Sequence, residues 1–287
     1  MDLLFLGEPE CHRVDLVGGK VAPLSRLSAD YRIPAGFCLT TASYTRWAST
    51  VHGDADARAD LAAHLTEAYA ELARRCRVSA PAVAVRSSAA DEDGAETSFA
   101  GQYETFLNRR GIDEIVEAVL CCWSSAEGER VSAYREQQGV VSTQIRLAVL
   151  VQQLVIAATS GVVFSANPIT SNRDEVVINA CWGLGESVVS GTVTPDTYIV
   201  RKSDLAITTR QIEKKERMTV AVPGGTEEVA VPRLLSEQRA LADSQVQEIA
   251  MLAMSLEGRF GYPIDLECAY QAGKLYLLQC RPITTLG

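Results

Sequence analysis

The sequence predicts an α+β protein built in two lobes. A chain of 287 residues can bury a sizeable core but is long for one compact domain. Residues 263 to 285 alternate in polarity on either side of Ala272-Gly273-Lys274, as two antiparallel strands joined by a short Gly-containing loop should. Elsewhere apolar residues recur at helical spacing, as at Ile112, Ile115, Val116, Val119, Leu120 and Trp123.

Composition narrows the function. Hydrophobic residues make up 47% and charged residues 22%, the balance of a soluble globular protein folded throughout. A net charge of -9 argues against nonspecific adhesion to nucleic acid or anionic membranes. Met1 to Glu8 has too short an apolar run and no basic leader for a signal peptide, and no uncharged stretch reaches membrane-spanning length, so a cytoplasmic location is expected. The eight cysteines form no C-x-x-C pair and no Cys/His grouping of zinc-finger spacing; free thiols packed in the core are expected. His12, His52 and His64 lie in unrelated settings, His64 on a helix surface, and no Ser-His-Asp or Cys-His arrangement is visible.

Along the chain, His12 to Lys20 ends in Gly18-Gly19-Lys20, followed by an amphipathic helix from Val21. Glycines let backbone amides approach an anion, a helix N-terminus favours one, and Lys20 would supply a point charge. The spacing is not that of a P-loop, and from these residues alone an exposed lysine after a turn is the more ordinary reading. Thr41 is expected to cap a helix to about Thr50, and a second helix covers Asp56 to Arg75. Val83 to Ala89 is an apolar strand delivering Arg86 and two hydroxyls, followed by a small-residue loop through Ser98-Phe99-Ala100-Gly101-Gln102, a way to hold polyphosphate and exclude water. Helices are expected from Ile112 to Trp123 and from Glu127 to Gln138, then a buried strand from Leu147 that acquires two amides, Gln152 and Gln153, before Leu154 and Val155.

Strands follow at 161–165 and 176–180. In the next run, Trp182-Gly183-Leu184-Gly185-Glu186, glycines suit a close approach to ligand and Glu186 is a candidate nucleotide contact. Tyr198 to Arg233 reads as a peripheral sheet with turns, and Ser236 is expected to cap a helix to about Phe260. In the closing hairpin Asp265 shares a face with Glu267, and Gln279 with Arg281. A two-residue turn would put those pairs on opposite faces; an odd loop with glycine in the left-handed position would unite them, and that loop is expected. United, carboxylate and amide oxygens suit magnesium, and the arginine suits the phosphate oxygens such an ion bridges. The solvent face of an ordinary half-buried hairpin would use similar residues.

Several motifs resemble one family. Asp265-Leu266-Glu267 with Leu278-Gln279-Cys280-Arg281-Pro282-Ile283-Thr284 is similar to the end of the ATP-binding domain of phosphoenolpyruvate synthase, pyruvate phosphate dikinase and rifampicin phosphotransferase. Gly18-Gly19-Lys20 with Pro34-Ala35-Gly36-Phe37, Arg86-Ser87-Ser88-Ala89 with Ser98 to Gln102, Val151 to Val155, and Asn179 to Glu186 resemble successive motifs of the same domain. The resemblance runs from about His12 to Thr285; the segment between Trp47 and Val83 looks shorter than its counterpart.

The resemblance implies an ATP-grasp α+β fold, with one lobe over 1–150 and a second over 151–287. It implies that Lys20, Arg86 and Arg281 hold phosphates and carry catalysis, and that the loop with Gly101 closes over the triphosphate. Gln152, Gln153, Leu154 and Val155 would meet adenine as the hinge, Glu186 would contact the nucleotide, and Glu267 and Gln279 would bind Mg2+ with Asp265 in support. ATP would donate phosphate to a small-molecule acceptor or to a separate phosphohistidine-carrying protein, with no nucleic-acid or membrane partner. Alternatives are a nucleotide-binding subunit of a split dikinase and a regulatory ATP-binding module. The family's phosphohistidine domain and pyruvate-binding barrel have no counterpart in these residues, so this chain alone is not expected to make phosphoenolpyruvate.

Overall fold

The computed structural model describes residues 2–89, 93–94, 97–98, 105–126, 147–283 and 286. They divide into two compact units, one of residues 1–154 with 223–225 and one of residues 155–222 with 226–287.

In the first unit the order is β1 (Leu3–Phe5), α1 (Val14–Leu27), β2 (Gly36–Leu39), α2 (Thr41–Trp47), α3 (Ala55–Cys76), β3 (Val83–Ala89), β4 (Asp93–Gly94), β5 (Thr97–Ser98), β6 (Thr105–Arg109), α4 (Gly111–Ala126) and β7 (Leu147–Gln153). The main sheet is antiparallel in the order β1-β2-β7-β3-β6, and β4 pairs with β5 in a small ribbon. Leu61, Leu65, Ala68 and Leu72 of α3 repeat at helical spacing and are buried, so that helix lays one apolar stripe on the core. Its start is capped by Asp54, whose carboxylate accepts the Ala57 N–H at 3.0 Å. Ile115, Val119 and Trp123 of α4 join it with Trp47 and the inward residues Val83, Val85, Val149 and Val151. Tyr44 meets Trp123 edge-on at 5.9 Å.

The second unit contains β8 (Thr159–Phe164), β9 (Glu175–Trp182), α5 (Glu186–Val189), β10 (Asp196–Arg201), β11 (Ile207–Gln211), β12 (Arg217–Val222), β13 (Gly225–Ala230), α6 (Asp243–Phe260), β14 (Ile264–Gln271) and β15 (Lys274–Pro282), with the first residue of β13 grouped in the first unit. Its sheet is antiparallel in the order β11-β10-β9-β8-β14-β15. Helix α6 covers one face with Val246, Ile249, Ala250, Ala253 and Leu256, and Tyr270 reaches it from β14, its hydroxyl 2.6 Å from Glu248. Ile264, Leu266, Cys268 and Tyr270 therefore line the helix side, while Asp265 and Glu267 point the other way.

Several expectations are corrected. The helix expected from Val21 begins at Val14 and breaks at Gly18, whose φ of 80° and ψ of 172° interrupt it, so Gly-Gly-Lys opens the second helical segment rather than preceding the helix. The helix expected to be capped by Thr41 begins at Thr41, with Thr40 in the N-cap position making no side-chain capping bond, and passes into a 3-10 turn at Ala48–His52. Strands β10 and β11 belong to the main sheet of their unit, not to a peripheral one. Helix α6 starts at Asp243 rather than near Ser236, because the preceding backbone is held elsewhere: Ser236 O accepts the Lys215 N–H and the Ala240 N–H binds Asp196.

The hairpin loop is also not the odd one expected. Gln271 faces Lys274 across the two residues Ala272 and Gly273, with φ of 49° and 72°, both in the left-handed range that a two-residue hairpin turn of this kind requires. The odd residue sits further along. Cys268 faces Leu277 but Glu267 faces Gln279, so Leu278 is extra and forms a bulge. That bulge undoes the parity of the turn and brings Asp265, Glu267, Gln279 and Arg281 to one face after all. All eight cysteines are free; Cys121 is exposed, Cys76 half-buried and the rest buried, with Cys268 and Cys280 both on the helix side of the sheet. His64 lies on α3 but packs against Trp47, the ring centroids 5.1 Å apart and the rings inclined by 60°. Gly101 and the helix expected at 127–138 lie outside the described residues. Among the described residues no helix is long and apolar enough to cross a membrane.

Candidate nucleotide site

The first unit gathers the phosphate candidates on the side of its sheet away from the core cluster. Val83, Val85 and Ala89 of β3 enter the core, so Arg86 and Ser88 alternate to the opposite face. Helix α1 lies there. The Lys20 N–H donates to Ser88 Oγ at 3.2 Å, and its Nζ donates to Ser87 O at 3.3 Å. Gly18 allows the approach: a Cβ at that position would stand 2.2 Å from Ser88 Oγ and 2.3 Å from Ser88 O. Lys20 and Arg86, far apart in sequence, are thus brought to one locality, with the serines after Arg86 holding the lysine.

Gln152, Gln153 and Leu154, expected at the adenine hinge, are tied within the first unit. Gln152 is buried and its amide donates to Pro34 O at 3.1 Å. The Gln153 N–H donates to Ala35 O and the Leu154 N–H to Ala82 O, each at 2.8 Å. These two main-chain donors are engaged within the protein. Val155 opens the second unit.

In the second unit the hairpin face carries the charge. Arg281 donates from Nε at 2.9 Å and from its terminal nitrogen at 2.8 Å to Asp265 Oδ2. Asp265 is 8% exposed and so is Gln279, which stands directly opposite Glu267. The ion pair anchors the Arg281 guanidinium on this face. Among the described residues no three His, Cys, Asp or Glu side chains gather as a metal site. Magnesium does not need three, because it keeps waters and phosphate oxygens and takes one or two protein carboxylates. The carboxylate of Glu267 beside the amide of Gln279 fits that donor set.

The glycine run before Glu186 is pinned on both sides. Gly183 has φ of 76°, and a Cβ there would lie 2.3 Å from Thr219 O. The Leu184 N–H donates to that same carbonyl at 2.9 Å, and Ser160 Oγ donates to Gly183 O at 2.7 Å. Glu186 opens α5 and accepts from Thr226 Oγ1 at 3.0 Å. Behind the sheet Asp196 and Lys215 form a buried ion pair at 2.5 Å, 0% and 1% exposed in their side chains. Asp196 also accepts the Glu213 N–H at 3.0 Å and the Ala240 N–H at 2.7 Å, so the charge is fully bonded. The sequence reading missed this pair, Ser88 as the partner of Lys20, and the Leu278 bulge. Lys215 lies in a charged stretch, Glu213-Lys214-Lys215-Glu216, that gives no local sign of burial.

Comparison with known proteins assigns the family. Residues 51–287 match the pyruvate phosphate dikinase AMP/ATP-binding domain family, and the chain belongs to it. A probable phosphoenolpyruvate synthase of Methanocaldococcus jannaschii is 40% identical over 317 positions, covering 99% of this chain and 27% of that protein. The phosphoenolpyruvate synthase of Pyrococcus furiosus is 45% identical over 240 positions, 80% of this chain and 29% of the relative. A rifampicin phosphotransferase of Streptomyces sviceus is 37% identical over 318 positions, 99% of this chain and 36% of the relative. The chain therefore spans little more than a third of these relatives at most. The first alignment runs longer than the 287 residues of this chain, so that relative carries residues without a counterpart here.

Proposed function

We propose that this chain is an ATP-grasp domain of two lobes that binds Mg-ATP and passes a phosphoryl group to an acceptor, a small molecule or a histidine on a partner protein. The observation that carries the reading is the hairpin register, which sets Glu267 opposite Gln279 and Asp265 opposite Arg281 on one sheet face. Family membership supports ATP as the nucleotide. Phosphoryl transfer demands positioning and charge neutralisation more than covalent chemistry from the protein. Lys20 and Arg86 offer two cations to phosphate oxygens, and Arg281, ion-paired to Asp265, offers a third. Glu267 and Gln279 would hold Mg2+, which when bound neutralises charge on the phosphates. Gln152, Gln153, Leu154 and Val155 would border adenine, with Gln152 bracing the strand through Pro34 rather than reaching ligand. Glu186 would contact the nucleotide from the start of α5, and Gly101 would belong to the loop over the triphosphate.

The test is calorimetric titration of the protein with Mg-ATP, followed by phosphorus NMR of turnover with a small-molecule extract or a phosphohistidine-carrying protein. Binding by the wild type, lost in Glu267→Ala and Arg281→Ala with circular dichroism unchanged, is expected. Wild-type affinity in both variants, or no ATP binding by the wild type, would overturn the reading.

A further inference from the structure

The face that carries Glu267 continues across the sheet. Residues directly opposite one another on neighbouring strands share a face. Gln279 pairs with Glu267, Glu267 with Val162, Val162 with Asn179, and Asn179 with Thr197. These five residues form one row, on the side away from α6. The row changes character along its length. Within the row Glu267 is the charged member, with Asp265 and Arg281 beside it on β14 and β15; on β9 and β10 the charged residues of this face, Glu175 and Arg201, lie four residues along the strands from Asn179 and Thr197. Across β8 to β10 the same face offers Val162, Asn179, Thr197 and Ile199, uncharged and each half-buried.

Around Asn179 one polar group is oriented and available. Thr197 Oγ1 donates to Asn179 Oδ1 at 2.9 Å, which fixes the amide and turns its NH2 group away from the threonine. Among the described residues that NH2 group has no hydrogen-bond partner. Asn179 stands two strands from Glu267, roughly 10 Å at the usual strand spacing, a distance an extended nucleotide spans. Phosphates seek the cations at the far end of the row. An uncharged donor set on half-apolar ground suits a group with hydroxyls and no charge.

We propose that Asn179, oriented by Thr197, donates a hydrogen bond to a ribose hydroxyl of the bound nucleotide and so contributes to discrimination between ribonucleotides and deoxyribonucleotides. The inference rests on the nucleotide reading above and adds a sugar-binding residue to it. A site built to bond a hydroxyl rejects the analogue that lacks it, because its donor is then left without a partner.

The experiment measures dissociation constants of ATP, 2′-deoxy-ATP and 3′-deoxy-ATP, each with magnesium, for the wild type, Asn179→Ala and Thr197→Val. The wild type is expected to prefer ATP over one of the deoxy analogues by about tenfold, the weight of one hydrogen bond in such a site. Asn179→Ala should weaken ATP by the same factor while binding that deoxy analogue as the wild type does, so the preference disappears. Thr197→Val, which leaves the amide free to rotate, should lose part of it. Retention of the full preference in Asn179→Ala, equal loss of all three nucleotides, or tighter ATP binding by Asn179→Asp would overturn the proposal. Failure of the nucleotide reading looks different, since the wild type itself would then bind none of the three.

Discussion

Replacing Gly18 by alanine tests the contact that brings Lys20 to the strand bearing Arg86. Two costs add. The backbone at φ 80° and ψ 172° lies in a region open essentially to glycine alone, and holding another residue there costs about 1–3 kcal/mol. The new Cβ would also stand 2.2 Å from Ser88 Oγ and 2.3 Å from Ser88 O; the second is backbone, so helix or strand must shift, at about 1–3 kcal/mol more. Gly53→Ala supplies the comparison. Its φ is 92°, yet no atom lies within 4 Å of the added Cβ, so only backbone strain of about 1–2 kcal/mol is expected. Urea denaturation should therefore rank Gly18→Ala well below Gly53→Ala. Titration with Mg-ATP should show weakened binding only for Gly18→Ala, because the Lys20 bonds to Ser88 at 3.2 Å and Ser87 at 3.3 Å move with the helix. Equal destabilisation by the two variants, with ATP affinity unchanged in both, would refute the argument that this close approach sets the position of Lys20.

Three further outcomes are expected. Inserting one alanine after Leu278 moves Gln279 and Arg281 to the face of α6 and should abolish Mg-ATP binding, whereas deleting Leu278 removes the bulge but keeps Glu267 opposite Gln279, and should change the calorimetric affinity little. Lys215→Met leaves the Asp196 carboxylate buried without its cation and should cost about 3–5 kcal/mol in urea denaturation; adding Asp196→Asn should restore part of that, and no restoration would count against the pair. Burial raises the Cys181, Cys268 and Cys280 thiols from 9.0 to about 12, so the folded state keeps protons that the unfolded chain loses. Their contribution is intact below pH 9 and falls as pH rises from 9 toward 12, by about 1.4 kcal/mol per pH unit for each thiol; urea midpoints independent of pH between 8.5 and about 10.5 would contradict this.

Much of the fold was legible because its signals are local. The strand at Val83–Ala89 was read to the residue, since an apolar run bounded by turn residues is its own evidence. Helix α4 announced itself through the spacing of Ile115, Val119 and Trp123. Helix boundaries were less legible where tertiary bonds decided them. The stretch from Ser236 to Ala242 could open a helix by its residues, yet its backbone is bound to Lys215 and Asp196, so α6 waits until Asp243. The candidate site divides the same way: Lys20, Arg86, Glu267, Gln279 and Arg281 stood out by motif, but the bonds that hold them did not.

The sequence by itself determined the family, the residue types that a phosphate site requires, and the alternation that gives each strand its two faces, because each is written in neighbouring residues. Only the tertiary structure decided which faces coincide. A two-residue turn at Ala272-Gly273 alone would have separated Glu267 from Gln279, and the Leu278 bulge reverses that parity. Register is a property of two strands together, and the approach of Gly18 to Ser88 is a property of segments some 68 residues apart, as the Lys20 to Ser88 bond measures. No window of local sequence contains either, because both arise from packing between elements rather than from the conformational preference of any one.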